Sequence, residues 1–167
     1  MRNLLIPLGG VLILVFANVG IYQNQQLLAS GRVVLLQLAP VDPRSLMQGD
    51  YMALRFKVAN DAFGNVPRDT PHDVHDGRLV LKVDDRNVGS FERFDDGQPI
   101  GPQEVLLRYR MRGAGNRDPK FATNGYFFQE GTADRYSTAR FGEFRVSPSG
   151  EAILTAMRND KLERLGP

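Results

Sequence analysis

Residues 50–58, with the sequence DYMALRFKV, alternate between side chains that suit a protein core and side chains that tolerate water. Alternation with a period of two residues is typical of a β-strand with one buried face. The predicted core face carries Met52, Leu54, Phe56 and Val58, and the opposite face carries Tyr51, Ala53, Arg55 and Lys57. This segment predicts that the chain folds around a β-sheet.

Similar apolar or alternating segments, bounded by turn residues, recur along the chain. They predict strands at residues 32–38, 79–83, 88–94, 105–111, 126–128, 141–146 and 151–157. Short polar segments at 84–87 and 147–150 predict two hairpin turns, and residues 132–139 predict one or two helical turns. Residues 59–76 contain glycine and prolines among polar residues and predict a long loop. The predicted fold is mainly β, with one antiparallel β-sheet domain and minor helix over residues 31–167.

The N-terminal segment predicts a membrane span. Residues 4–22 are apolar apart from Asn18 and are followed by amide side chains at 23–26. A run of this length matches a hydrocarbon core of about 30 Å. Because Arg2 precedes the run, we expect residues 1–30 to be a cytoplasmic tip and a transmembrane anchor helix in the inner (cytoplasmic) membrane, with residues 31–167 on the periplasmic side. A cleaved signal peptide is the alternative, since Ala29-Ser30-Gly31 supplies small residues.

Composition excludes several classes of function. The chain has 21 basic and 19 acidic residues, and this near balance gives no global field that would gather nucleic acid. It contains no cysteine, which excludes disulfides, thiolate metal sites and cysteine nucleophiles. We therefore expect no nucleic-acid partner.

Gly49 and Asp50 stand at the entry to the strongest predicted strand. Glycine adopts backbone angles closed to other residues, and an aspartate carboxylate can accept hydrogen bonds from a turn. The octet at 49–56, GDYMALRF, resembles the signature of the GDYXXLXY family of membrane-anchored bacterial proteins, with Phe56 in place of the final tyrosine. Further similarity lies at residues 40–46, 128–131, 136, 139–143 and 150–152.

The resemblance implies a short N-terminal anchor and an exported domain of unassigned activity. Members of the family are often encoded beside multi-spanning membrane proteins, which implies a partner of that kind and the lipid bilayer as surroundings. The resemblance carries over no catalytic residue.

Residue types that could support catalysis lack the spacing that catalysis needs. Ser45, before Gly49-Asp50, is similar to part of the nucleophile box of type I signal peptidases, but that alignment puts Val41 at the nucleophile. Glu130, Asp134 and Glu143 have no spacing that predicts a shared cleft. We predict no catalytic residue.

His72 and His75 lie three residues apart among aspartates, at 73 and 76, which invites a metal site. Their proline-flanked loop has no periodicity that would fix ligand geometry, so a solvated loop is the favoured interpretation. We predict no metal and no cofactor.

Arg108, Arg110 and Arg112 alternate along one predicted strand and give it a basic face. A solvent-facing strand whose cations pair with neighbours such as Glu92 is the favoured interpretation. Binding of anionic lipid head groups is the functional alternative.

Two functions remain open. The favoured one is a non-enzymatic accessory and interaction module associated with a multi-spanning membrane protein. The alternative is a hydrolase or small-ligand-binding domain with its site around residues 40–49 and 130–143. The predicted recognition residues are Gly49, Asp50, Tyr51, Leu54, Phe56, Glu130, Arg140 and Glu143. Within this set we expect Asp50 to accept a hydrogen bond from Arg140 and Tyr51 to be the partly exposed contact residue.

Overall fold

The fold is seen in a computed structural model that describes residues 2–39, 47–48, 51–64, 76–111 and 119–166, with the side chains of 2–9, 11, 47 and 48 outside that description. The helices are α1 (Arg2–Ser30) and α2 (Lys57–Phe63), with a 3-10 helix at Ala133–Tyr136. The strands are β1 (Arg32–Gln37), β2 (Met47–Gln48), β3 (Tyr51–Ala53), β4 (Gly77–Val83), β5 (Val88–Phe94), β6 (Glu104–Arg110), β7 (Lys120–Phe121), β8 (Gly125–Phe127), β9 (Phe141–Val146), β10 (Ala152–Arg158) and β11 (Arg164–Leu165).

The strands form two sheets instead of the single antiparallel sheet that the sequence predicted. The larger has the order β11-β10-β9-β1-β5-β4-β6-β7, and the smaller has the order β2-β3-β8. The pair β1–β5 is parallel, while the other pairs are antiparallel. The mainly-β prediction is confirmed, as are the predicted hairpins β4–β5 and β9–β10.

The larger sheet curls, so that a turn near one end of it meets a strand near the other end. The backbone N-H of Arg108 in β6 donates to the carbonyl of Gly150 in the β9–β10 turn at 2.8 Å. Gly150 has a φ of +91°, and a Cβ there would lie 3.2 Å from the Arg108 nitrogen. Glycine therefore permits both the turn and the closure.

The core fills the concave side of this curled sheet. Three phenylalanines, Phe56, Phe121 and Phe144, meet edge to face at its centre, with ring centroids 6.2 Å apart for Phe56–Phe121 and 5.4 Å apart for Phe56–Phe144. Aliphatic side chains from β1, β4, β6 and β10 surround these rings. The segment 50–58 therefore supplies the aromatic side chain around which the domain packs.

Within that segment the predicted buried face is confirmed, but the predicted strand is too long. Met52, Leu54, Phe56 and Val58 are all buried. However, β3 ends at Ala53 and α2 begins at Lys57, so Val58 is buried from a helix on which Ala62 shares its face. The buried positions fit two periodicities here. Residues 56 and 58 are two apart, as on one face of a strand, and residues 58 and 62 are four apart, as on one face of a helix. The prediction of a loop from residue 59 missed α2 for this reason.

The predicted transmembrane helix is wrong. Helix α1 is continuous from Arg2 to Ser30, but over the residues that can be described no helix combines the length and the apolar character that a membrane crossing needs. The apolar side chains between Leu12 and Tyr22 are interrupted by Asn18 and followed by the amides at 23–26. The predicted single-pass inner-membrane localisation conflicts with the same finding.

The end of α1 is joined to the larger sheet. The Gly31 N-H donates to the Leu27 carbonyl at 2.9 Å, and the Arg145 guanidinium on β9 donates to the Gly31 carbonyl at 3.0 Å. A Cβ at Gly31 would lie 2.5 Å from the Leu27 oxygen. The helix thus leads directly into β1 through a position that suits glycine.

Candidate functional site

Tyr51 opens β3 on the face opposite the buried side chain of Met52. It stands directly across from Phe127 of β8, and the two ring centroids are 5.8 Å apart. Tyr51 is half-buried, whereas Phe127 is 78% exposed. We call these two residues the aromatic pair. An aromatic ring with this much exposed area is typical of an interaction surface when it belongs to a cluster and does not stand alone.

The surrounding packing holds the aromatic pair in place. In the run Tyr126-Phe127-Phe128, the outer two rings pack on the core and the middle one faces outward. Tyr126 and Phe128 each lie 5.2 Å, centroid to centroid, from the buried ring of Tyr136. Phe127 therefore stands on a strand whose neighbours are fixed by aromatic packing.

Burial and a side-chain hydrogen bond to Tyr136 raise the pKa of Tyr126 to about 12. Its ordinary value is 10.0, so the folded protein holds the phenolic proton more tightly than the unfolded chain does. This stabilisation is complete below pH 10 and is lost as the pH rises toward 12, because the unfolded state ionises first.

We expect Tyr126→Phe to remove part of the alkaline loss of stability. Urea midpoints measured at pH 8 and at pH 11 should differ less for Tyr126→Phe than for the native chain, because the variant has no phenol at this position. Tyr109→Phe should narrow the difference as well, since burial also raises the pKa of Tyr109, which lies in a different cluster with Phe63 and Phe94. An unchanged difference between the two pH values in Tyr126→Phe would contradict this assignment.

Glu143 on β9 is the buried carboxylate of the described chain, with 8% of the residue exposed. Its Oε2 accepts from the Arg158 Nε at 2.6 Å, and its Oε1 accepts from the Thr155 hydroxyl at 3.0 Å. Arg158 also donates to the Leu162 carbonyl. Side chains of β10 thus donate to both oxygens of the Glu143 carboxylate, which favours a role in joining β9 and β10.

The predicted contact between Asp50 and Arg140 lies outside the described residues, because Gly49 and Asp50 do. Arg140 is exposed, and its guanidinium donates to the Ala139 carbonyl at 3.3 Å. Leu54 and Phe56 are buried together in the core, whereas Glu130 is exposed. Of the predicted recognition set, Tyr51 is the residue that the structure places in a surface cluster.

The basic face of β6 is partly neutralised. Arg108 pairs with Glu151 at 2.5 Å and with Asp76 at 3.5 Å, and Arg110 lies 3.8 Å from Asp76. The hydrogen bond and the charge of Glu151 are the main causes that raise the pKa of Arg108. The cations therefore pair with neighbours as expected, although with these two carboxylates and not with the predicted Glu92. Arg112 lies outside the described residues.

Three other groups that the sequence analysis considered also lie outside the description. They are Ser45, the pair His72 and His75, and the connection at 40–46. Over the parts of the chain that are described, no three potential metal ligands of the histidine, cysteine or carboxylate type come together.

The sequence interpretation missed Phe127, Arg158 and Thr155. A signal for Phe127 was present, because three consecutive aromatic residues on a strand cannot all face the core. Thr155 and Arg158 had no such signal, since their approach to Glu143 depends on an irregularity of register between Leu154 and Ala156.

The fold and the aromatic pair define a class of small, mainly β protein with a curled sheet and an aromatic surface patch on a second, three-stranded sheet. The chain matches the family model described as GDYXXLXY protein over residues 13–157, and it belongs to that family. No curated protein matches the chain, and no solved structure matches it. The resemblance drawn from residues 49–56 is therefore confirmed across most of the chain.

Proposed function

We propose that this chain is a non-enzymatic interaction module and that its partner binds over the aromatic pair, Tyr51 and Phe127. The observation that carries the proposal is the 78% exposure of Phe127 beside the tyrosine of the family signature. Burying a phenylalanine side chain against a partner contributes about 1.5–3 kcal/mol. An anchor of that size is typical of the few residues that dominate a protein interface.

The rigidity of the aromatic pair supports the proposal. Phe127 lies between Tyr126 and Phe128, which pack against Tyr136. Because the strand is fixed before binding, little conformational entropy is lost when a partner covers the ring. A preformed aromatic surface suits recognition better than it suits catalysis, which needs polar groups that converge on a reacting atom.

The partner that we propose is a multi-spanning membrane protein, to which this chain would add a domain. Such a partner does not require a span in the chain itself, because an interface over Tyr51 and Phe127 involves the β domain. The hydrogen bonds of Glu143 support a non-enzymatic role, since Arg158 donates to one of its carboxylate oxygens and Thr155 donates to the other.

We expect Phe127→Ala and Tyr51→Ala to weaken co-purification of the partner by about tenfold or more, which is the loss that about 1.5–3 kcal/mol of burial implies. The chain and its variants would be affinity-purified under identical conditions, and the bound protein quantified by mass spectrometry. Ile100→Ala is the matched control, because Ile100 is also an exposed apolar side chain, at 38%, but lies in the loop between β5 and β6.

Thermal unfolding of each variant separates binding from folding. Phe127→Ala should unfold within a few degrees of the native chain, because the ring is mostly exposed. A native level of bound partner in both Phe127→Ala and Tyr51→Ala would overturn the proposal.

A further inference from the structure

A basic cleft lies on the surface where β6, β7 and the start of β10 meet. It has a volume of about 290 Å³ and is lined by Arg108, Arg110, Lys120, Ala122, Glu151 and Ala152. We call it the basic cleft. The aromatic pair, Tyr51 and Phe127, is not part of the basic cleft.

The charges of the basic cleft do not balance. Among the described residues, three cations line it and two carboxylates, Glu151 and Asp76, contact those cations, which leaves one net positive charge. Glu151 holds Arg108 at 2.5 Å, whereas Arg110 lies 3.8 Å from Asp76, the nearest carboxylate in the described part of the chain. Lys120 forms no ion pair with any residue that the structure describes. The excess charge therefore lies on the side of Arg110 and Lys120.

Arg110 and Lys120 are directly opposite each other on neighbouring antiparallel strands. Like charges at such positions destabilise a sheet, because their Cβ atoms are about 5 Å apart. An anion between the two side chains would replace this repulsion by two attractions. Arginine and lysine together are also the residues that proteins use to bind phosphate oxygens.

The backbone beside these cations supplies a second, independent observation. Ala122 lines the basic cleft with a φ of +32°, which is unusual for a residue with a Cβ. Residues held in such sparsely populated conformations cluster at binding sites, where the surrounding structure over-determines them. The strained residue lies two positions after Lys120 and helps to shape the same cleft.

We infer that the basic cleft binds a phosphate group, with Arg110 and Lys120 as its ligands and Arg108 held in place by Glu151. A phosphate monoester in solution and the phosphodiester of a lipid head group share this chemistry. The carboxylate of Glu151 does not oppose an anion here, because Arg108 neutralises it at 2.5 Å. This inference is independent of the partner proposed for the aromatic pair.

The test uses the full chain, titrated with inorganic phosphate and with glycerol phosphate in an isothermal calorimeter at constant ionic strength. Lys120→Ala and Arg110→Ala should each weaken phosphate binding by about fivefold or more, since each removes one of two charge-assisted contacts. Lys82→Ala is the matched control, because Lys82 is an exposed lysine on β4 that does not line the basic cleft. It should bind phosphate as the native chain does.

A second arm distinguishes the sources of phosphate. Vesicles of phosphatidylcholine are compared with vesicles that also contain phosphatidylglycerol, and only the difference in binding counts, because apolar surface binds to both. A difference that Lys120→Ala and Arg110→Ala abolish identifies a lipid head group, whereas saturable binding of the soluble phosphates alone identifies a free phosphate. The inference is overturned if neither probe binds, or if binding survives both substitutions.

Discussion

Replacing Phe56 by alanine should lower the free energy of unfolding by about 3–5 kcal/mol, the range found when buried aromatic residues are truncated. Phe56 is 2% exposed, and its ring meets Phe121 and Phe144 edge to face. Even the backbone fits closely around it, since a Cβ on Gly142 would lie 3.2 Å from the Phe56 ring. Such a site cannot collapse easily around a smaller side chain. Urea denaturation of the full chain measures the effect.

Arg55→Ala is the matched control for Phe56→Ala. Arg55 is the preceding residue, and its side chain is exposed. Replacing an exposed arginine costs about 1 kcal/mol or less. Equal losses for Arg55→Ala and Phe56→Ala would show that the assignment of faces in 50–58 is wrong.

Glu143→Gln should lower the free energy of unfolding by about 2–4 kcal/mol, because it leaves the Arg158 charge partly buried without its carboxylate. The side chain of Glu143 is 10% exposed and that of Arg158 is 29% exposed, so solvent screens the loss only in part. Arg140→Ala, at an exposed arginine three residues earlier, should cost much less. Equilibrium unfolding in urea again gives the values.

A double-mutant cycle shows whether the two residues act together. Glu143→Leu combined with Arg158→Met replaces the pair by apolar groups and leaves no uncompensated charge. The double variant should therefore lose less unfolding free energy than the losses of Glu143→Leu and Arg158→Met add up to, by about 1 kcal/mol or more. Strict additivity of the single losses would contradict a coupled pair.

The strands were predictable because their signals are local. In β4, Leu79, Leu81 and Val83 are buried as their alternation predicted, with Val80 buried as well, and the hairpin to β5 follows a short polar turn. The parallel pairing of β1 with β5 was not predictable, because its partners Leu35 and Val88 are far apart in the chain and no local pattern couples them. The second sheet escaped prediction for a related reason, since β3 and β8 come from distant segments.

The candidate site was predictable on one side only. Tyr51 was identified from its place in the family signature and from the alternation of faces. Phe127 belongs to the same surface because β8 pairs with β3, and that pairing is a tertiary contact. The sequence assigned no partner to Glu143, because the irregular register of β10 decides that Arg158 and Thr155 reach its carboxylate.

Photo-cross-linking from position 127 is the most direct test of an interaction module centred on the aromatic pair. A photoreactive phenylalanine analogue would replace Phe127 in the full chain and, in a parallel sample, Ile100. Irradiation should give one protein adduct of defined mass from position 127, none from position 100, and a weaker adduct when Tyr51 is also changed to alanine. The absence of any adduct from position 127, or the same adduct from position 100, would contradict the account.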